Sequence, residues 1–270
     1  MKAKTMAIDY IIDYDCIPKQ TLTTDGILER LKGLERAETI IAIYRREGDN
    51  RPPSEMGFEF TVSTPDGQQE TKTIVVQDLL DAGEQLKPLQ GYCELCPANR
   101  TGKPFGCIGF VQYPVSARGE AWLLNNLPVP DDALVWLLLK QGIEEFQYDG
   151  KLVETLRFDT DAYFELRTTP SRKLGEFTIS SDQVFEMIFS VGNITPNHGA
   201  ILLLFFNGLT RDLEASEIMS ITPAPPDAEQ KYLFKLKLSD EDDQTISELK
   251  EFFHALYIAW RLSVPVIVDS

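Results

Sequence analysis

The sequence predicts an α+β fold of two mixed halves, with antiparallel or mixed sheets and an irregular metal-binding cysteine loop in the first half. Three observations predict it. Stretches that alternate apolar and polar residues are interleaved with stretches of helical spacing, without the steady strand–helix repeat of a doubly wound sheet. The segment Leu127-Pro-Val-Pro-Asp-Asp132 breaks regular structure near mid-chain. This divides the chain into an α+β metal-binding domain over 1–127 and an α+β domain over 128–270 that ends in a long helix and terminal strand. Finally, Cys93, Cys96 and Cys107 lie in one segment rich in glycine and proline.

The elements follow in order. Residues 6–14 form a first strand, with Ile8, Tyr10 and Ile12 on one face and Asp9, Ile11 and Asp13 on the other. Thr23, Thr24 and Asp25 offer N-caps for a helix whose Ile27, Leu28, Leu31 and Leu34 make an apolar stripe. The β-branched run 39–44 predicts a strand, and 45–54, charged and proline-bearing, an exposed loop. Runs 57–63 and 71–76 flank Pro65-Asp66-Gly67, which supplies the fixed φ and positive-φ position of a hairpin turn. A short helix over 78–82, a strand over 109–113 and a helix over 120–125 complete the first half.

The second half opens with a helix over 133–146, strongly apolar through Leu134, Trp136, Leu137 and Leu138. A helix over 182–189 follows. Residues 200–209 read as a buried helix started by Asn197, with a core strand as the alternative. After a proline break at 223–226, residues 232–238 alternate as a strand does. The acidic run 240–243 suits the start of a helix over 245–262. Its Leu249, Phe252, Phe253, Leu256 and Trp260 recur at helical spacing and are expected in the core, and 264–268 closes the chain as a strand.

Composition narrows the function. The 270 residues carry a net charge of −16. Phosphate-backbone binding depends on Lys and Arg displacing counterions, so nucleic acid and anionic membranes are disfavoured as main partners. No apolar run approaches the ~18 residues that cross a bilayer, and the N-terminal segment lacks the continuous apolar core of a secretory signal. A cytoplasmic location is the resulting expectation. In that reducing compartment, closely spaced cysteines read as metal ligands or redox thiols before disulfides.

Cys93-x-x-Cys96 is the spacing of a knuckle that turns two sulfurs toward one ion. Gly102, Pro104 and Gly106 allow the turns that return Cys107 to it. A tetrahedral site needs a fourth donor, and Cys16, at the end of the first strand, is the only other cysteine in the chain. The expected site is therefore Cys16, Cys93, Cys96 and Cys107, with structural zinc favoured and an iron–sulfur cluster as the alternative. Arg100, Lys103 and Arg118 place positive charge around this loop; they balance the thiolates or bind an anion, and the first reading is preferred.

Catalytic signatures fail one by one. Gly102-Lys103 does not complete a phosphate loop, no dinucleotide-binding glycine run occurs, and neither a nucleophile elbow nor a His-Glu-x-x-His run is present. Of the two histidines, His198 reads as a capping or surface residue and His254 as part of the terminal helix's packing. The expectation is a metal-binding protein with a regulatory or protein-interaction role and room for a protein partner, a non-enzyme in preference to a metalloenzyme or electron carrier. Nothing in the sequence sets an oligomeric state.

Overall fold

The computed structural model describes residues 7–63, 69–159, 162–190 and 192–269. In chain order the elements are β1 (Ala7–Ile12), α1 (Ile17–Leu22), α2 (Thr24–Arg46), β2 (Gly57–Ser63), β3 (Gln69–Val75), α3 (Val76–Glu84) and β4 (Ile108–Gln112). They continue with α4 (Ala117–Asn126), α5 (Ala133–Phe146), α6 (Lys151–Asp159), β5 (Ser171–Leu174), β6 (Phe177–Ser180), α7 (Ser181–Phe189), β7 (Asn193–Ile194) and α8 (Pro196–Phe205). The last are α9 (Ala215–Met219), α10 (Ala228–Lys231), α11 (Gln244–Leu262) and β8 (Val266–Asp269). Helices and antiparallel ladders are mixed, an α+β fold. Among the described residues, no helix is long and apolar enough to cross a membrane.

The chain forms two compact units. Unit 1 comprises Met1–Tyr14, Pro97–Thr101 and Gly106–Ser270, and unit 2 comprises Asp15–Cys96 and Gly102–Phe105. Unit 1 is built on a sheet of order β4-β1-β8-β7. Its strand β1 is buried from Ile8 to Ile12. In register, Tyr10 faces Gly109 of β4. A Cβ at Gly109 would stand 2.4 Å from the Tyr10 hydroxyl, so glycine is what admits this ring.

Helix α11 packs on the sheet and on α8. It begins where the Asp243 carboxylate accepts the Ile246 N–H at 2.9 Å, as an N-cap should. Leu249, Phe252, Phe253, Leu256 and Trp260 are all buried, as their spacing predicts. Phe252 meets Tyr10 edge-on at 5.2 Å between ring centroids, and Phe253 meets Phe206 at 4.9 Å. Of residues 200–209, 200–205 are helical and 206–209 form a turn: α8 is capped by the Thr195 hydroxyl with Pro196 in its first turn, close to the expected start at Asn197. Helix α5 has the predicted span, yet buries only Val135 and Leu139 and leaves Leu134 and Leu137 exposed.

The run 232–238 forms no strand: the Lys235 N–H donates to the Gly208 carbonyl, and the Lys237 N–H turns back to the Lys235 carbonyl. Its alternation is still used, because Tyr232 is buried while Leu233 is exposed. Helix α6 and the β5–β6 hairpin were not expected from the sequence pattern; the hairpin turns through Gly175, held at φ +61°.

In unit 2, residues 39–44 are not a strand. They continue α2, because Ala37, Ile40, Ile41 and Tyr44 recur at helical spacing and pack on Met56, Val76, Leu79 and Leu80. A β-branched run is compatible with helix when tertiary packing supplies one apolar stripe. Strands β2 and β3 pair antiparallel as predicted; the Pro65-Asp66-Gly67 turn lies outside the described residues.

Candidate functional site

The cysteines do not make the expected centre. Among the described residues, no group of three or more His, Cys, Asp or Glu could hold a metal ion. This overturns the zinc site on Cys16, Cys93, Cys96 and Cys107, the iron–sulfur alternative, and the metal-binding function drawn from them. All four are thiols. Cys16 precedes α1 and its carbonyl accepts the Gln20 N–H at 3.0 Å. The buried Cys93 sulfur accepts the Phe105 N–H at 3.3 Å and lies 4.0 Å from the Leu89 carbonyl oxygen. Cys96 is half-buried and its N–H donates to the Cys93 carbonyl at 3.3 Å. Cys107, in unit 1, is buried and its carbonyl takes the Ile12 N–H at 3.0 Å. The glycines and prolines that signalled a metal loop therefore serve an irregular connection between Cys93 and Cys107.

A different arrangement in unit 1 brings polar groups together. On α11, Glu251, His254, Ile258, Arg261 and Leu262 fall in a sector of about 100°, opposite the buried stripe. Beside this face runs the segment 97–101, turned by an Asx contact in which the Thr101 N–H donates to the Asn99 side chain at 3.2 Å. Between them lies a cleft of about 300 Å³. Asn99, Arg100, His254 and Arg261 give it polar walls; Pro97, Ile258 and Leu262 give it apolar ones.

Arg100 is the anchor. Its side chain is only 4% exposed, and Nη1 donates to Glu251 at 2.5 Å. Nη2 reaches the Ile108 carbonyl at 3.4 Å, and the guanidinium lies 5.7 Å over the Tyr10 ring. Its Nε is buried and makes no hydrogen bond, and neither does the Tyr10 hydroxyl. A guanidinium carries five donors, so this one retains capacity for a further acceptor. Burial pushes the Tyr10 phenol upward against the opposing pull of Arg100, so Tyr10 is neutral.

Arg261 pairs with Glu229 and lies 5.6 Å over the Tyr257 ring, with its side chain 32% exposed. The His254 ring stacks on Phe234 at 5.0 Å and an interplanar angle of 25°. Burial first, then the nearby positive charge of Arg100, holds His254 below the ordinary histidine range; Arg261 adds to this and Glu251 opposes it. Each arginine already faces one carboxylate and the imidazole is neutral, so the walls carry no net charge.

Other polar clusters are internally satisfied. Arg157 is wholly buried and donates to Glu120 at 2.5 Å, to Asp182 at 2.5 Å and to the Leu166 carbonyl at 2.6 Å. Ser181 donates to Glu120 at 2.7 Å and Thr169 to Asp182 at 2.7 Å, which completes the carboxylates. Such a network, with its members hydrogen-bonded to one another, fixes packing. Of the basic group that the sequence placed around the cysteines, Arg118 donates to the Glu241 carbonyl at 2.8 Å, and only Arg100 reaches the cleft. His198 is not the cap that the sequence suggested: it lies in the first turn of α8, and its backbone N–H donates at 3.3 Å to the hydroxyl of Thr195, which is the N-cap.

Comparison with protein-family models, curated proteins and solved structures finds no significant match.

Proposed function

We propose that the chain is a ligand-binding protein whose unit 1 takes a small organic carboxylate into the cleft between segment 97–101 and α11. The observation that carries this reading is Arg100: an arginine with a nearly fully buried side chain that lines the cleft and is held there by Glu251. Asn99, His254 and Arg261 line the same cleft, while Pro97, Ile258 and Leu262 suit an apolar body. Few polar groups set among apolar walls is the usual make-up of a small-molecule site, and about 300 Å³ is at the small end of such sites.

The existing ion pairs set the expected strength. A carboxylate meets arginines that are already neutralised, so the gain is that of charge-assisted hydrogen bonds with little long-range attraction. For a ligand the size of benzoate this corresponds to a Kd of about 0.1–1 mM. Titration calorimetry with benzoate tests it. Arg261→Ala, at a partly exposed side chain, should weaken binding about 5- to 10-fold while leaving the circular dichroism spectrum unchanged. Arg100→Lys, which offers a point charge where the guanidinium meets several acceptors, should weaken it further. Absence of saturable binding of both benzoate and hexanoate to the folded protein would overturn the reading.

A further inference from the structure

Resting on the carboxylate reading, we infer that ligand capture at this cleft takes up a proton at His254, so that the occupied site pairs an imidazolium with the bound anion. His254 is the only group lining the cleft whose charge can change near neutral pH. It sits at the turn of α11 between Glu251 and Arg261, against the Phe234 ring and across from Arg100. Each neighbour acts on it in a definite direction. Arg100 and Arg261 oppose its protonation, and desolvation opposes it more; Glu251 favours it but is engaged with Arg100 at 2.5 Å. Glu229 faces Arg261, and Tyr257, a neutral ring, stacks at 6.5 Å.

The empty cleft thus holds two compensated ion pairs and an uncharged imidazole. A carboxylate entering beside that imidazole adds one uncompensated negative charge. An opposite charge within a few ångströms favours the protonated ring, and the anion gains a donor that carries positive charge. The balance is simple. One proton leaves solvent or buffer and joins a ring nitrogen of His254, the carboxylate enters as the anion, and no covalent bond to carbon changes. Affinity must then rise as pH falls, by at most tenfold for each pH unit, since one proton is coupled to binding.

Titration calorimetry with benzoate in two buffers of different ionisation enthalpy, at pH 6.5 and 7.5, reads the uptake directly. The expected results are a buffer-dependent apparent enthalpy corresponding to a fraction of one proton and tighter binding at the lower pH. In His254→Gln the buffer dependence should vanish and the affinity should lose its slope with pH. Because the chain has two histidines, proton NMR of the His198→Gln protein gives a second reading that does not depend on how His254→Gln folds. There the remaining imidazole signal should titrate at higher pH when benzoate is saturating. Binding without proton uptake, or uptake that persists in His254→Gln, would overturn the coupling and leave the carboxylate site standing. No binding at either pH would overturn both.

Discussion

The two units manage charge in opposite ways. Every buried polar or charged residue among the described ones belongs to unit 1: Asp9, Glu120, Arg157, Ser181, Asp182, Thr245 and Lys250. The buried side chains of unit 2 are instead apolar, and one cluster of them is Ala37, Met56 and Val76 bordered by Ile40, Ile41, Tyr44, Leu79 and Leu80. Unit 1 surrounds its charges with aromatic rings and fixed acceptors, and Lys250, for example, meets Asp242 at 2.6 Å. Such surroundings can also keep Arg100 desolvated at the edge of a cleft. The lesson is that a binding site with a buried guanidinium needs a scaffold that already tolerates internal charge.

Breaking the comparison in unit 1 should have the largest effect. Arg157→Ala leaves Glu120 and Asp182 buried without their cation, and it should cost about 3–5 kcal/mol of stability, read from urea denaturation. In unit 2 the corresponding weak point is packing. Met56 is 1% exposed, so Met56→Ala opens a cavity. It should cost about 2–4 kcal/mol, with faster amide exchange in α2 and α3 as the local sign. If Arg157→Ala proved milder than Met56→Ala, the contrast between a polar and an apolar core would lose its energetic meaning.

The smallest effect is the dependence on pH. His198 and His254 are both held below the ordinary histidine value of 6.5, chiefly by burial. The unfolded chain therefore binds protons first, and stability falls as pH drops below about 6.5 and levels off once the folded protein is also protonated. Thermal unfolding from pH 7.5 to 5.5 should show the decline, and His254→Gln should reduce it.

Much of this fold was legible in the residues. The caps at Thr23 and Asp243, the stripe of α11 and the paired strands on either side of residues 64–68 all follow from local patterns. The failures have physical causes. The run 39–44 shows β-branched residues that suit a strand, but the stripe from Ala37 to Tyr44 shows that packing with α3 decides for helix. The run 232–238 has a strand's alternation, but pairing depends on neighbours that no local pattern reveals.

The candidate site was legible only in part. Arg100 stood out only as one of a positive group with Lys103 and Arg118 in an acidic chain, with anion binding as the second reading. The spacing of His254, Ile258, Arg261 and Leu262 on one helical face was available as a signal, yet each residue alone looked like an ordinary helix surface. What the sequence could not supply was the approach of segment 97–101 to that face. The cysteine spacing misled for the related reason that a knuckle pattern specifies turns, whereas a metal site requires donors to converge in space.

The most direct measurement is a crystal structure of the protein with 4-bromobenzoate, locating the bromine by its anomalous signal. The account predicts the halogen against Pro97, Ile258 and Leu262, with the carboxylate at about 3 Å from donors of Arg100 or Arg261. A peak elsewhere on the protein, or an empty cleft at saturating ligand, would contradict it.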